Sequence, residues 1–205
     1  MLLLVLHCLL VNAQKTIHDT RALRDGDLLF VVAPQPNAIT EVTKIGTQLP
    51  IDHVAIFFRQ GKTPMVIEAA YDGVTEKTFD IFAKSAGPML IGRVRGDFDA
   101  VGSIQRARTY VGRPYDFVFL PGNEAVYCSE LVQLSYVNKS GQSIFETVPM
   151  SFHDESGQVT PYWCDFYARR AMDVPEGQPG TNPGVLSRRK CVKIKYKWAP
   201  FDMQR

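Results

Sequence analysis

Residues 51–58 read Ile-Asp-His-Val-Ala-Ile-Phe-Phe, a short run whose alternating positions are apolar on both sides. Successive side chains of a β-strand point to opposite faces, so His53 and Asp52 are expected on opposite faces of the sheet. A strand that is apolar on both faces is covered on both sides. The run therefore predicts a central strand with other elements packed above and below it.

The next strand is predicted at residues 64–70 (PMVIEAA), after a turn at residues 60–62. Antiparallel pairing of the two strands brings Glu68 near His53. A carboxylate in an apolar strand is costly unless it is paired. We therefore expect His53 to be the partner of Glu68.

The remaining pattern predicts an α+β protein, a mostly antiparallel sheet with helices packed on it. The last strand alternates apolar residues, taken to face inward, with lysines, which favours a protected edge strand. A polar, Pro- and Gly-rich stretch at residues 175–184 is expected to be irregular. Further strands are predicted at residues 28–33, 89–94 and 192–198, and helices at residues 38–47, from residue 101, from residue 128 and at 163–172.

The composition is that of one ordinary globular domain. The chain has 205 residues, of which 45% are hydrophobic and 21% charged, with a net charge of +2. Both signs of charge are interspersed, so no strong field attracts nucleic acid. Residues 188–198 (RRKCVKIKYKW) offer a basic-aromatic patch as the competing interpretation, but the strand explanation is preferred and no nucleic-acid partner is expected.

Residues 1–13 (MLLLVLHCLLVNA) are predicted to be a secretory signal peptide, because a short apolar run ends in a small residue. The alternative is a buried N-terminal strand or helix. On the first interpretation, residues 14–205 form a single mature domain that is secreted or periplasmic, in a bacterial cell envelope. Removing Cys8 leaves Cys128, Cys164 and Cys191, and Cys164 and Cys191 are expected either to pair or to be buried.

Cys128 is the strongest candidate for chemistry. It begins the segment Cys-Ser-Glu-Leu-Val at the start of a predicted helix, where the helix dipole favours a thiolate. A thiolate beside an imidazole attacks acyl carbonyls. The alternative is a small buried cysteine that only packs the helix.

His53 is the preferred base, and Glu68 is expected to fix its tautomer by accepting a hydrogen bond from the ring. The alternative for His53 is a core histidine with satisfied hydrogen bonds. His18 and His153 are ranked below it. The chain contains no G-x-S-x-G and no glycine-rich phosphate loop, and no cysteine or histidine spacing typical of a structural metal site, so no metal or cofactor is expected.

Several short motifs occur in a fixed order along the chain. They are residues 25–28 (DGDL), 52–55 (DHVA), 66–69 (VIEA), 73–74 (GV), 112–116 (GRPYD) and 127–131 (YCSEL). Together they resemble the permuted branch of the NlpC/P60 cysteine hydrolases, and most closely its YiiX/YebB-like group. The resemblance implies a circularly permuted papain-like fold, an antiparallel sheet or small barrel packed against helices.

The resemblance implies that Cys128 is the nucleophile, His53 the general base and Glu68 the orienting residue. Tyr115 and Tyr127 are expected on the substrate side. The function implied is an exported thiol hydrolase that cleaves an amide through an acyl-enzyme, with a peptidoglycan-type peptide or related amide as its substrate.

Two alternatives stay open: a lipid acyl amidase or acyltransferase, and a non-catalytic module of the same fold that binds a peptide or lipid. The expected partner is a small peptide or acyl-amide, with peripheral contact to the cell envelope. A set of aromatic residues is expected either to frame the groove or to belong to the core. These residues are Phe117, Phe119, Trp163 and Tyr167.

Overall fold

The computed structural model describes residues 14–43 and 48–198. The signal peptide predicted at residues 1–13 lies outside the described residues, as does the end of the helix expected at residues 38–47. Within the described part of the chain, none of the helices has the length and apolar character needed to span a membrane.

Among these residues, seven strands form one sheet in the spatial order β1-β9-β6-β2-β3-β4-β5. Neighbouring strands are antiparallel except β1 and β9, which run parallel. A separate two-stranded sheet pairs β7 with β8. The strands are β1 Lys15–Ile17, β2 Leu28–Val32, β3 Ile51–Gln60, β4 Thr63–Ala70, β5 Gly73–Thr78, β6 Met89–Val94, β7 Val148–Pro149, β8 Pro179–Gly180 and β9 Val192–Trp198.

Helices cover both faces of the large sheet, which confirms the predicted α+β class. A short 3₁₀ helix lies at Thr20–Ala22. The α-helices are α1 Ala38–Thr43, α2 Phe79–Ala86, α3 Ala100–Arg108, α4 Cys128–Ser135, α5 Pro161–Ala168 and α6 Pro183–Ser187.

The central strand β3 is buried on both faces, as its sequence predicts. Val54, Ile56 and Phe58 join the core formed with α3, α4 and α6. Ala55 and Phe57 join the core on the opposite face, to which α2 contributes. A third, smaller apolar cluster joins α1 to α5 and leaves room for a cleft beside α4.

A β-bulge interrupts the alternation of β3 at Asp52. Val31 pairs with His53, whereas Val32 pairs with Ile51, so Asp52 is an extra residue without a partner across the ladder. A bulge bends its strand and redirects the neighbouring side chains. Asp52 and His53, expected on opposite faces, consequently both reach the end of the sheet where α4 begins.

The prediction that the last strand lies at the sheet edge is wrong. β9 pairs with β6 on one side and with β1 on the other, so the three-residue strand β1 forms the edge. A strand this short has no detectable period in the sequence, which is why β1 was not predicted.

The single inward face predicted for β9 is also wrong. Tyr196 pairs with Ile91 and Ile194 pairs with Gly92, so Lys195 is an extra residue at a second bulge. The bulge reverses the faces: Ile194 packs in the core that contains α4, and Tyr196 in the opposite core.

The region before β9 is more ordered than expected, because β8 and the start of α6 lie within residues 175–184. The expectation for the cysteines is wrong as well. Cys164 and Cys191 are free, Cys164 is exposed and Cys191 is half-buried. Trp163 and Tyr167 take the buried face of α5, which turns Cys164 toward solvent.

Candidate active site

Cys128 is the first residue of α4, as predicted, and is buried. Tyr127 before it has extended backbone, and its N–H donates to the carboxylate of Glu130 at 3.3 Å. The first N–H groups of a helix have no partners within the helix. The Cys128 sulfur therefore lies beside backbone donors and the positive end of the helix dipole.

The expected contact between His53 and Glu68 is present. Nε2 of His53 lies 2.6 Å from Oε2 of Glu68. The β3–β4 pairing ends at Ile56 and Ile67, one residue before Glu68. Because no backbone pairs join β3 and β4 at His53, the ring meets the carboxylate diagonally across the opening between the strands.

His53 also interacts with Cys128 through a side-chain hydrogen bond. Since Glu68 occupies Nε2, Nδ1 is the ring nitrogen left for Cys128. Burial alone would lower the pKa of His53, but the hydrogen bonds and charges of Cys128 and Glu68 outweigh burial and raise that pKa to about 10. The ring is thereby held as an imidazolium between two acidic groups.

Lys77 extends this chain of contacts and was missed in the sequence. Its Nζ lies 2.7 Å from Oε1 of Glu68, the oxygen that His53 does not use. Burial would raise the pKa of Glu68, but His53 first and Lys77 second lower it through their hydrogen bonds and charges. The carboxylate thus stays ionised although its side chain is only 7% exposed.

Tyr115 lies against Cys128 from the loop after α3. Its hydroxyl interacts with both the side chain and the backbone N–H of Cys128. Burial and the charge at Cys128 raise the pKa of Tyr115 far above its ordinary value, so the hydroxyl keeps its proton. Tyr115 is therefore a donor beside the sulfur.

Tyr127 lines the same cleft, but its hydroxyl already accepts the N–H of Thr181 at 3.1 Å. Its ring stacks edge-on against Phe119, with 5.3 Å between centroids. These contacts hold Tyr127 in the wall of the cleft.

Asp116 holds the loop that follows Tyr115. Its buried carboxylate accepts the N–H groups of Val118, Phe119 and Leu120 at 2.8–3.0 Å. Phe119 has a positive φ of 54°, a conformation that is uncommon for a bulky residue. The three hydrogen bonds hold this backbone, and with it the Phe119 ring at the cleft.

An open cleft with an internal volume of about 60 Å³ extends from Cys128 between α1, α4 and α5. Among the described residues that line the cleft, Asp52 alone is charged, and Asn37 donates to that carboxylate at 2.6 Å. The other lining residues are mostly apolar or aromatic: Ile39, Val42, Tyr115, Phe119, Tyr127, Val148, Met150, Phe152, Trp163 and Pro183.

The aromatic residues singled out in the sequence divide between the two expected roles. Phe119 and Trp163 line the cleft. Tyr167 is fully buried and donates its hydroxyl to the carbonyl of Val118 at 3.0 Å, so it belongs to the core. Phe117 is 44% exposed and contacts Tyr115.

The two lower-ranked histidines lie away from this arrangement. His18 is exposed, next to the first strand. Nδ1 of His153 lies 3.3 Å from Oε1 of Glu176 and 3.1 Å from Oγ of Ser151, a residue of the cleft wall. The structure thus brings together Cys128, His53 and Glu68.

A buried thiol at the start of a helix, facing an imidazole and a carboxylate on an antiparallel sheet, defines a papain-like fold and site. The histidine strand here precedes the cysteine helix, which is the permuted order. The chain belongs to the C92 family, the permuted papain-like amidases of the YaeF/YiiX type, whose family model matches residues 22–192. The family supports a thiol amidase or hydrolase in general, and it confirms the resemblance drawn from the motifs.

Two of the proteins that are similar to this chain come from Escherichia coli. One is named uncharacterized protein YiiX, from Escherichia coli (strain K12); it is 27% identical over 183 residues, 86% of this chain and 88% of that protein. The other is the crystal structure of a protein described as metalloprotein yiiX, from Escherichia coli O157:H7. It matches with a TM-score of 0.70 and 22% identity over 85% of this chain and 98% of the solved chain, which confirms the fold.

Proposed function

We propose that this protein is a thiol amidase that works through an acyl-enzyme on Cys128. The observation that carries the proposal is the unbroken series of contacts from Cys128 to His53 and from His53 to Glu68 at the head of a cleft. A cysteine paired with a histidine whose ring is oriented by a third polar side chain activates the thiol in papain-like proteases in the same way.

In the first half of the reaction the Cys128 thiolate forms a bond to the amide carbon, and the carbonyl electron pair moves to oxygen. The tetrahedral intermediate then collapses, the carbon–nitrogen bond breaks, and imidazolium His53 gives its Nδ1 proton to the leaving amine. Glu68 holds the ring in place during this transfer.

In the second half, neutral His53 takes a proton from water as the water oxygen attacks the thioester carbon. The carbon–sulfur bond breaks, releasing a carboxylic acid and restoring the thiolate–imidazolium pair. The N–H groups at the start of α4, with the Tyr115 hydroxyl, are the donors available to the oxyanion in both halves.

The solved neighbour is described as a metalloprotein, but the residues described here do not fit a metal ion. No group of three or more His, Cys, Asp and Glu side chains in those ranges is arranged to hold one. His53, moreover, already uses one ring nitrogen for Glu68 and the other for Cys128. The steps proposed above are therefore derived from the side chains of this chain alone.

The cleft supports an apolar acyl group as the part of the substrate that becomes the acyl-enzyme. The described part of its lining is mostly aliphatic and aromatic, and Asp52 is the one charged side chain in that part. A peptidoglycan-type peptide carries several charged groups that this lining leaves without partners. Within the proposal, an amide of an apolar acid is thus favoured over a cell-wall peptide.

The test compares hydrolysis of octanoyl and acetyl p-nitroanilide with that of muropeptide fragments. Each buried methylene contributes about 0.8 kcal/mol, or roughly fourfold in kcat/KM, so the octanoyl amide is expected to be much the better substrate. Faster cleavage of muropeptides would instead favour a cell-wall peptide as the substrate. Binding of the amides without turnover would indicate a binding module.

A matched pair of variants locates the acyl group. Ile39→Asn places a polar amide in the cleft wall, whereas Ile81→Asn makes the same change on α2, where Ile81 is 59% exposed and outside the cleft. Ile39→Asn is expected to reduce the preference for octanoyl over acetyl by roughly tenfold, and Ile81→Asn to leave it unchanged. Equal effects of the two variants would contradict the proposed position.

Export into the cell envelope belongs to the same proposal and rests on the apolar run at residues 1–13. N-terminal sequencing of the protein recovered from a bacterial periplasm is expected to begin at Gln14. Recovery of the uncleaved chain from the cytoplasm would contradict export and leave the chemistry at Cys128 unaffected.

A further inference from the structure

Lys77 reaches Glu68 because of the register of two neighbouring strands. Glu68 on β4 is directly opposite Thr75 on β5, and Lys77, two residues further along β5, is opposite Val66. Lys77 and Glu68 are therefore diagonal neighbours on one face of the sheet, within reach of a long side chain. The result is the 2.7 Å ion pair between Lys77 Nζ and Glu68 Oε1.

The two oxygens of Glu68 are thus divided between two cations. Oε2 meets His53 Nε2 at 2.6 Å, and Oε1 meets Lys77. A carboxylate held at both oxygens cannot rotate to present a different lone pair to the imidazole. In addition, the positive charge of Lys77 opposes protonation of Glu68. His53 requires Glu68 in its ionised form.

We propose that Lys77 is a positioning residue of this site, which holds Glu68 ionised and oriented so that Glu68 in turn fixes His53. This inference rests on the proposed function, in which His53 and Cys128 act as a pair. Lys77 touches neither the sulfur nor the cleft, so its effect passes through Glu68.

Few other charges face Glu68. β3 contributes His53, and α4 contributes Cys128 beyond His53. On α2, which packs against β4 and β5, Asp80 and Lys84 are both exposed. Glu76, next to Lys77 on β5, forms its ion pair with Arg108 instead.

The test follows the Nε2–H signal of His53 by nitrogen-15 NMR as a function of pH in the wild type and in Lys77→Met. Without Lys77, Glu68 takes up a proton more readily. When the pH is lowered, the signal of the Glu68-bound imidazolium is therefore expected to disappear at a pH about one unit higher in Lys77→Met than in the wild type. Lys77→Arg is expected to restore the wild-type range, because arginine keeps the charge at this carboxylate.

Lys62→Met is the matched control, since it removes the same charge at the exposed turn between β3 and β4. It is expected to follow the wild type. Backbone amide spectra establish that each variant is folded. Coincident curves for Lys77→Met and the wild type would overturn the role of Lys77.

Iodoacetamide labelling of Cys128 over the same pH range separates this inference from the proposed function. Slow, ordinary labelling in the wild type would remove the amidase proposal, and the NMR curves would still decide whether Lys77 positions Glu68. If labelling in the wild type is fast, Lys77→Met is expected to label Cys128 roughly tenfold more slowly at about pH 5.

Discussion

Glu68 holds the ring of His53 from just beyond the end of a strand ladder. The contact is 2.6 Å long, whereas backbone pairing of β3 with β4 has already stopped at Ile56 and Ile67. β4 stays paired with β5 as far as Ala70 and Gly73, so the carboxylate stands on a supported strand. At the opening between β3 and β4, the strand that carries Glu68 and positions the imidazole is thus held by its pairing with β5.

Replacing Glu68 tests whether the proposed amide turnover depends on the negative charge that Glu68 presents to His53. Glu68→Gln keeps a hydrogen-bond acceptor and removes the negative charge, so the imidazolium loses stabilisation and amide turnover is expected to fall by at least about 10²-fold. Glu68→Asp, which keeps the charge, is expected to lose less. Steady-state kinetics on octanoyl p-nitroanilide measure both, and equal rates for Glu68→Gln and the wild type would contradict the role of Glu68.

The raised pKa of His53 is expected to set the alkaline limit of the proposed activity. Its ordinary value is 6.5 and its value in the folded protein is about 10, so the imidazolium persists through neutral pH. The associated stability is complete below pH 6.5 and is lost as the pH rises through about 10. A turnover–pH profile is expected to fall near pH 10, and a fall near 6.5 would show that His53 is not held by its neighbours.

Tyr115 is expected to act on the oxyanion and not on the thiol's reactivity. Tyr115→Phe removes a donor beside Cys128, and the loss of one oxyanion donor costs about 10²–10³-fold in kcat. Alkylation by iodoacetamide forms no oxyanion, so labelling of Cys128 is expected to stay within about threefold of the wild type. A parallel loss of both rates would instead assign Tyr115 to the activation of the sulfur.

Glu130 makes the stability depend on pH near neutrality. Burial, with a smaller contribution from Asp116, raises its pKa to about 7, and the N–H of Tyr127 offsets this only in part. Because the folded pKa is higher than the ordinary 4.5, stability present below pH 4.5 is lost as the pH rises through about 7. Charging this carboxylate therefore weakens the fold.

Glu130→Gln keeps an acceptor for the Tyr127 N–H and cannot ionise. It is expected to be more stable than the wild type above pH 7 by on the order of 1 kcal/mol, about 2–4 °C in Tm, with the difference vanishing in acid. Thermal unfolding at several pH values measures the difference. A constant or opposite difference would refute the assignment of the pH dependence to Glu130.

The sequence predicted the elements that carry the reactive groups, because each has a clear local signal. The apolar strand at β3, the helix that begins at Cys128 and the isolated Glu68 all follow from periodicity and from the cost of an unpaired buried charge. The family motifs then predicted the permuted order, which the family model and the solved neighbour confirm.

The parts that were missed depend on register and distant packing. The bulge at Asp52 and the bulge at Lys195 each change which face a side chain occupies, and no local pattern marks either one. No strand was predicted at residues 73–78, and only the pairing of β4 with β5 places Lys77 beside Glu68. The far wall of the cleft, at Met150 and Thr181, comes from segments without a regular period.

The most direct test of the central claim is the rate of iodoacetamide labelling of the native protein against pH, with each thiol identified by peptide mass mapping. The chain supplies its own reference, because Cys164 is exposed and Cys128 is buried. We predict that Cys128 is labelled faster than Cys164 below pH 7, and that His53→Ala abolishes this advantage. If Cys164 is labelled first and Cys128 follows the profile of an ordinary thiol in both proteins, Cys128 and His53 do not form an activated pair.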